Sequence, residues 1–132
     1  MNYINCTALT HIEFGYDFAQ RDGFPNVRFI RLNCNNRSLV ENLPNSIEEL
    51  ELGYKFNLEL DNLPSSIKKI TFEKSSKYNQ ELNCLPCGLN ILQLPHKYNK
   101  QICSTLPALT KVICSYDYPY IKNFNDVLVE TY

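Results

Sequence analysis

The chain has 132 residues, 13 of them basic and 14 acidic, with a net charge of −1 at pH 7. This length fits one compact domain or one short repeat array. Hydrophobic residues make up 44% and charged residues 20%, which excludes a disordered tail. Nucleic acid and anionic membranes bind basic surfaces, which argues against either as the main partner of a near-neutral chain. No run of about 18 apolar residues marks a membrane span and no secretory signal begins the chain, so we expect a cytoplasmic protein.

A Leu-Pro dipeptide recurs at nearly constant spacing and marks an internal repeat. It occurs at residues 43–44, 63–64, 85–86 and 106–107, and a degenerate copy, Phe24-Pro25, precedes them. Chance would rarely space one dipeptide so evenly. The spacing predicts a single domain over residues 1–132 with six copies, at approximately residues 6–23, 24–42, 43–62, 63–84, 85–105 and 106–126.

Each copy carries three apolar residues in one arrangement: an apolar residue, two free positions, a second apolar residue, one free position and a third. In chain order these triplets are Leu9, Ile12, Phe14; Val27, Ile30, Leu32; Ile47, Leu50, Leu52; Ile67, Ile70, Phe72; Leu89, Leu92, Leu94; and Leu109, Val112, Cys114. Two residues separated by one position share a face of a strand, whereas on a helix they would lie about 200° apart. The triplets therefore predict one short strand in each copy.

Strands that recur in the same direction every 20 or so residues pair in parallel, and stacked copies share a core that no copy builds alone. The proline before each strand cannot donate to the ladder and belongs in the turn that leads in. We therefore expect a mainly β repeat solenoid: a right-handed coil with one parallel sheet of about six rungs. Turns and short 3₁₀ pieces fill the rest of each copy.

Three copies continue with an aromatic residue and an asparagine: Phe56-Asn57, Tyr78-Asn79 and Tyr98-Asn99. The asparagines are predicted to form a structural ladder in which buried side-chain amides bond main-chain groups of neighbouring copies. The less favoured alternative is a ligand site. The aromatic residues are predicted at the core or its edge, with tyrosine hydroxyls reaching outward.

The C-terminal residues 119–132 lose the Leu-Pro signature but keep many aromatic and aliphatic residues. Val127-Leu128-Val129 has a high strand propensity. A solenoid exposes a strand edge and apolar core at its ends unless something covers them. We therefore predict that residues 119–132 form a C-terminal cap beside the sixth rung. The alternative is that this tail pairs with another molecule.

Residues that alternate with the triplets are predicted to point outward in two columns. The first column is His11, Phe29, Glu49, Lys69, Ile91 and Lys111, and the second is Glu13, Arg31, Glu51, Thr71, Gln93 and Ile113. Charged residues mixed with exposed apolar ones are typical of a protein-binding face, so these twelve are the candidate partner-binding residues, with Phe29 and Ile91 as candidate contacts. The alternative is that the charges serve only cross-strand pairing, with Arg31 between Glu13 and Glu51 and with Glu49 near Lys69.

Cysteine and histidine positions argue against a metal or catalytic site. Without an export signal the six cysteines are expected to stay free thiols. Residues 84–87 form a CxxC, which is half of a tetrahedral zinc site, but the Leu-Pro inside it is the repeat signature and Cys114 occupies an inward triplet position. His11 and His96 lie about four copies apart, and no glycine-rich phosphate loop is present. We expect no metal, no cofactor, no catalytic residue and no enzyme activity.

Laid side by side, the copies resemble the FNIP repeat, a leucine-rich-repeat-like unit of about 22 residues. The matching residues are LPNSIEELELGYKFN at 43–57 and LPSSI at 63–67, and the resemblance extends over residues 9–118. It implies a leucine-rich-repeat-like solenoid from a social amoeba or a giant virus of amoebae, residing in the host cytoplasm if viral. FNIP repeats often follow an F-box that recruits a ubiquitin ligase. Only eight residues precede the first triplet, so we expect neither an F-box nor a ubiquitin-ligase link.

The sequence therefore predicts a non-catalytic protein–protein interaction module that presents the outer face of a repeat sheet. Its partner is expected to be another protein, in a role such as substrate recognition in host or viral regulation, rather than nucleic acid or a membrane. The alternative is a structural or degenerate repeat fragment without a specific ligand.

Overall fold

Seven short strands form one sheet in chain order. A computed structural model describes residues 11–14, 27–102 and 105–132, and for residues 11–14 only the backbone. All six strand pairings are parallel, which confirms the predicted solenoid, here of about five turns. The strands are β1 His11–Phe14, β2 Phe29–Leu32, β3 Glu49–Leu52, β4 Lys69–Phe72, β5 Ile91–Gln93, β6 Lys111–Cys114 and β7 Leu128–Thr131.

The apolar triplets line the interior of the solenoid. The middle residues of the second to sixth triplets align in register and are at most 1% exposed: Ile30, Leu50, Ile70, Leu92 and Val112. The first and third residues of these triplets are buried as well. The inward assignment is therefore confirmed for the second to sixth copies, whereas the side chains of the first triplet lie outside the described part of the chain.

The Leu-Pro dipeptides form the turns that lead into the strands, as predicted. The carbonyl oxygens of Pro44 and Pro64 accept hydrogen bonds from the N–H groups of Ile47 and Ile67, both at 3.3 Å. The proline carbonyl thus accepts a hydrogen bond within the turn. Because proline has no backbone N–H, it cannot donate to the strand ladder. In the sixth copy, which has one residue fewer at this turn, the Leu106 carbonyl accepts instead.

The asparagine ladder is present but shorter and more exposed than predicted. The side-chain oxygen of Asn35 accepts from the Asn57 N–H at 2.7 Å, and that of Asn57 accepts from the Asn79 N–H at 3.1 Å. Asn57 is half-buried, whereas Asn79 and Asn99 are exposed. The Asn79 oxygen accepts instead from the Gln80 side chain at 3.4 Å, so the ladder does not extend to Asn99.

A second asparagine contact between copies explains why residue 53 is a glycine. The Asn33 side-chain oxygen accepts from the Lys55 N–H at 2.7 Å. A Cβ atom added to Gly53 would lie 2.6 Å from this oxygen. Only a residue without a side chain allows the amide to pack so closely against the backbone.

Aromatic rings form a second buried column, parallel to the triplets. Phe56, Tyr78, Tyr98 and Tyr118 stack with centroid distances of 6.0, 6.2 and 6.3 Å, and Phe124 continues the stack at 6.1 Å. All four rings before Phe124 are at most 4% exposed. The predicted core position of the aromatic residues is confirmed, and the stacked rings contribute packing from the third copy to the C-terminal segment.

The tyrosine hydroxyls of this column differ in their partners. The Tyr98 hydroxyl donates to the Gln80 carbonyl at 2.9 Å and the Tyr118 hydroxyl to the Lys100 carbonyl at 2.6 Å. The Tyr78 hydroxyl is buried and has no hydrogen-bond partner among the described residues, and its burial is the main cause that raises the pKa of Tyr78. Tyr78 belongs to the copy with the longest turn, because five residues separate it from Phe72, whereas three separate Leu94 from Tyr98.

The second copy contains a short helix, α1 Arg37–Glu41, that the repeat pattern did not predict. The Asn36 side chain caps it by accepting from the Ser38 N–H at 3.0 Å. Leu39 and Val40 are buried. This copy lacks the aromatic-asparagine pair, and the helical turn brings two aliphatic side chains into the core instead. In the part of the chain described, no helix is long and apolar enough to cross a membrane.

The C-terminal segment adds a strand beside the sixth rung. A 3₁₀ helix at Ile121–Asn123 leads into β7, where Val129 lies opposite Val112. Val129 packs against the core from its half-buried position. The Tyr132 hydroxyl donates to the Leu94 carbonyl, and burial raises the pKa of Tyr132 to about 12. The tail is therefore part of the sheet and not a free extension.

Truncating a middle triplet residue should lower the stability of the protein. Leu50 is 1% exposed at the middle of the row, so we expect Leu50→Ala to lower the free energy of unfolding by about 2–5 kcal/mol through lost burial and a cavity. Chemical denaturation measures the difference. Glu49→Ala, at the exposed neighbouring position, should change stability by about 0.5 kcal/mol or less. Equal melting of Leu50→Ala and wild type would show that the inward assignment is wrong.

Two matched substitutions test the hydroxyls of the aromatic column. Tyr98→Phe removes a hydrogen bond and should cost about 0.5–1.5 kcal/mol of stability. Tyr78→Phe removes a buried hydroxyl without a described partner and should leave stability unchanged or raise it, because no bond is lost and no polar atom stays buried. Thermal melts of both variants compare the two positions. Similar losses would contradict the assignment.

Deleting residues 119–132 should lower the melting temperature and promote aggregation, because it removes β7 and exposes the edge of β6. Thermal melts and light scattering after gel filtration measure both effects. Leu128→Thr is the matched control, because Leu128 is 62% exposed and threonine keeps the strand. A truncated chain that stays monomeric and as stable as wild type would refute the cap.

Candidate functional site

The outward columns lie where the sequence placed them. The register aligns His11, Phe29, Glu49, Lys69, Ile91 and Lys111 in the first column and Glu13, Arg31, Glu51, Thr71, Gln93 and Ile113 in the second. For His11 and Glu13 the position rests on the backbone alone. Strand β7 adds Leu128 and Glu130, which the triplet search missed because the tail lacks Leu-Pro. We call these fourteen positions the outward face.

Arg31 is the centre of an ion network on the outward face. Its guanidinium pairs with the carboxylate of Glu51 on the next strand, as the cross-strand alternative predicted. It also lies 3.2 Å from the carboxylate of Glu73, two rungs away. Glu73 accepts in addition from the Tyr54 N–H and the Ser75 hydroxyl, both at 3.1 Å. These charges therefore hold neighbouring rungs together.

The other predicted pair differs from this network. Glu49 and Lys69 are register partners, but their side chains form no ion pair in the described structure. Lys111 instead pairs with Glu130 of the cap at 2.9 Å. Cross-strand pairing thus explains Arg31 and Glu51 but leaves the charges of Glu49 and Lys69 unexplained.

Apolar side chains collect on the outward face toward the C-terminal end. Ile91 and Ile113 lie on adjacent strands and are half-buried, and Leu128 on β7 is 62% exposed. We call these three residues the apolar patch. Gln93 lies beside it, but its amide donates to the Phe72 carbonyl at 3.0 Å, which gives Gln93 a structural role. Aliphatic groups that are at least partly accessible on three adjacent strands are the feature expected of a contact surface.

A concavity lies outside the outward face, and the sequence pattern did not predict it. It has a volume of about 390 Å³ and is lined by polar residues of two successive copies and by one lysine: Glu59, Asp61, Gln80, Glu81, Asn83, Cys84 and Lys100. Glu59 and Glu81 each lie three residues after the aromatic residue of their copy, a spacing that could have revealed it. In the described part of the chain, no group of three or more His, Cys, Asp or Glu residues is arranged to hold a metal ion.

The cysteines that the structure describes do not form a cluster with chemistry of its own. Cys34, Cys84, Cys87 and Cys114 are free thiols. Cys114 lies in the core, as its triplet position predicted, and Cys84 and Cys87 are exposed. Burial raises the pKa of the Cys34 and Cys114 thiols, which keeps them protonated and unreactive.

Comparison with known proteins supports the repeat assignment. Residues 35–75 match the family model of the FNIP repeat. The fold is similar to the crystal structure of CroV588, a circular leucine-rich-repeat protein of a giant virus, with a TM-score of 0.66 and 30% sequence identity. That similarity covers 83% of this chain but only 18% of CroV588. Among curated proteins, no sequence matches this chain.

The family match covers the third copy and parts of its two neighbours, and the structural similarity extends over most of the remaining rungs. Both agree with the parallel sheet and the buried triplets described above. The FNIP repeat and the leucine-rich-repeat-like fold are typical of interaction scaffolds. Residues 35–75 thus match the FNIP repeat, and they lie within a leucine-rich-repeat-like solenoid fold.

Proposed function

We propose that this chain is a non-catalytic protein-binding module that recognises a partner protein through the outward face of its sheet. The observation that carries the proposal is the apolar patch of Ile91, Ile113 and Leu128. These three side chains lie on adjacent strands, with Lys111 between Ile91 and Leu128 in the first column, and apolar groups mixed with charged ones are typical of a protein-binding face. The FNIP repeat and the fold support the same kind of role.

The two halves of the outward face have different roles in this proposal. Toward the N-terminus, Arg31 and its carboxylate partners already satisfy one another, so they stabilise the rungs. Toward the C-terminus, the apolar patch gains free energy when a partner excludes water from it. Contacts with the partner therefore centre on β5, β6 and β7. Of the two predicted contact residues, Ile91 belongs to this half, whereas Phe29 lies toward the opposite end of the outward face.

The alternative is a structural repeat segment without a ligand of its own. The observation that favours it is the ion network of Arg31, Glu51 and Glu73, whose charges pair within the solenoid. A segment of that kind needs the outward face only for its own stability. The two functions differ in whether substitutions on the apolar patch change binding without changing stability.

Affinity capture from amoebal lysate tests the patch. We expect the double variant Ile91→Ser, Ile113→Ser to lose a specific partner that the wild-type chain retains, with a drop in affinity of roughly tenfold or more, because buried aliphatic contacts near an interface centre dominate binding. Quantitative mass spectrometry identifies the retained protein. Direct titration of that protein then measures the affinity.

The matched control is Tyr116→Ser, at a side chain that is 74% exposed in a turn outside the outward face. It should retain the same partner as the wild type. Thermal melts of all variants separate lost binding from lost folding. Equal capture by the double variant, or no specific capture by the wild type, would support the structural segment instead.

A further inference from the structure

Basic side chains collect at the edge of the solenoid where the strands end. Lys55 follows β3, Lys74 and Lys77 follow β4, and His96 and Lys97 follow β5. We call these five residues the basic rim. All five are exposed, and they lie in the turns of three adjacent rungs. Because parallel strands bring equivalent turns to the same edge, residues up to 42 positions apart in sequence become neighbours.

One aromatic ring joins the first two turns of the rim. The ammonium nitrogen of Lys55 and that of Lys77 each lie 5.9 Å from the centroid of the Tyr54 ring. Cations within about 6 Å of a ring centroid are attracted by its negative face. Tyr54 therefore holds two positive charges from neighbouring rungs close to one another.

A second ring joins the next two turns. The ammonium nitrogen of Lys74 lies 4.8 Å from the centroid of the Tyr132 ring, and His96 meets the same ring edge-on at 5.8 Å. The Tyr132 hydroxyl is anchored on the Leu94 carbonyl. The backbone links these turns as well, because the His96 N–H donates to the Lys74 carbonyl at 2.9 Å. The rim is thus a connected surface that the structure holds in place.

Three lysines of the rim have no carboxylate within ion-pair distance in the described part of the chain, namely Lys74, Lys77 and Lys97. The acidic residue next to them, Glu73, directs its carboxylate to Arg31 and to neighbouring hydrogen-bond donors. Positive charges gathered without counter-charges repel one another. An anionic partner removes this repulsion, so the rim is suited to bind one despite the net charge of −1.

We propose that the basic rim binds an acidic segment of a partner protein. Three rungs spaced by about 4.8 Å give a rim of roughly 10 Å, which three or four residues of an extended peptide span at about 3.3 Å each. Carboxylates on such a segment meet the lysine ammonium groups one by one. This surface is separate from the apolar patch and goes beyond the proposed function.

Features of the rim favour an acidic peptide over nucleic acid. The faces that a base would stack on are already approached by lysines, at Tyr54 and at Tyr132. The rim contains only lysine and histidine, whereas bidentate phosphate binding favours arginine.

Fluorescence anisotropy with a labelled peptide of alternating glutamate and serine tests the proposal. We expect the wild-type chain to bind the peptide at low ionic strength and to release it as salt is raised, because exposed charges are screened. The double variant Lys74→Glu, Lys77→Glu should bind the peptide with an affinity that is lower by roughly tenfold or more, since two attractive contacts become repulsive.

The matched control is Arg28→Glu, Lys68→Glu, which changes the net charge equally at exposed positions just before β2 and β4, at the other edge of the sheet. This control should bind the peptide like the wild type. Thermal melts establish that both variants fold. Absence of wild-type binding at low salt, or an equal loss in the two double variants, would overturn the proposal.

Two further measurements identify the partner class and the surface. Tighter binding of a single-stranded oligouridine than of the peptide would overturn the assignment to an acidic protein segment. The apolar-patch variant Ile91→Ser, Ile113→Ser should bind the peptide like the wild type, so failure of the rim and failure of the outward face give different results. Loss of peptide binding in that variant would show that the rim is not a separate site.

Discussion

A strand of three or four residues has no stability of its own, and each copy of this chain contributes one such strand with an apolar face that it cannot bury alone. The parallel register resolves this by placing the middle triplet residues of successive copies in one continuous row, from Ile30 to Val112. Each side chain in the row is covered by the ones before and after it. The stability of every rung therefore depends on its neighbours, and the ends need separate cover.

A second continuous column of side chains packs inside the solenoid. The aromatic column from Phe56 to Phe124 stacks through the interior at centroid distances of 6.0–6.3 Å. Asparagine side chains link the turns between Asn35 and Asn79. Where a copy lacks the aromatic residue, helix α1 supplies Leu39 and Val40. Variation in each copy is tolerated because the interior volume is filled in another way.

Register also creates the two surfaces proposed for binding. Positions about 20 residues apart become adjacent, so single residues of different copies combine into the Arg31 network, the apolar patch and the basic rim. Arg31 and its partners use their charges within the sheet, whereas the apolar patch and the basic rim present side chains at the surface. A regular scaffold thus separates groups that stabilise it from groups available to a partner.

The sequence by itself determined the strands, their order, their parallel register and the residues of the outward columns, because periodic apolar positions and evenly spaced Leu-Pro turns allow only one alignment of the copies. It also indicated the cap through Val127-Leu128-Val129. Tertiary structure decided the side-chain contacts: that Glu73 joins Arg31, that Tyr132 lies beneath Lys74, and that the Tyr78 hydroxyl lacks a described partner. These depend on turn lengths and on distances between residues up to 58 positions apart, which no local pattern encodes.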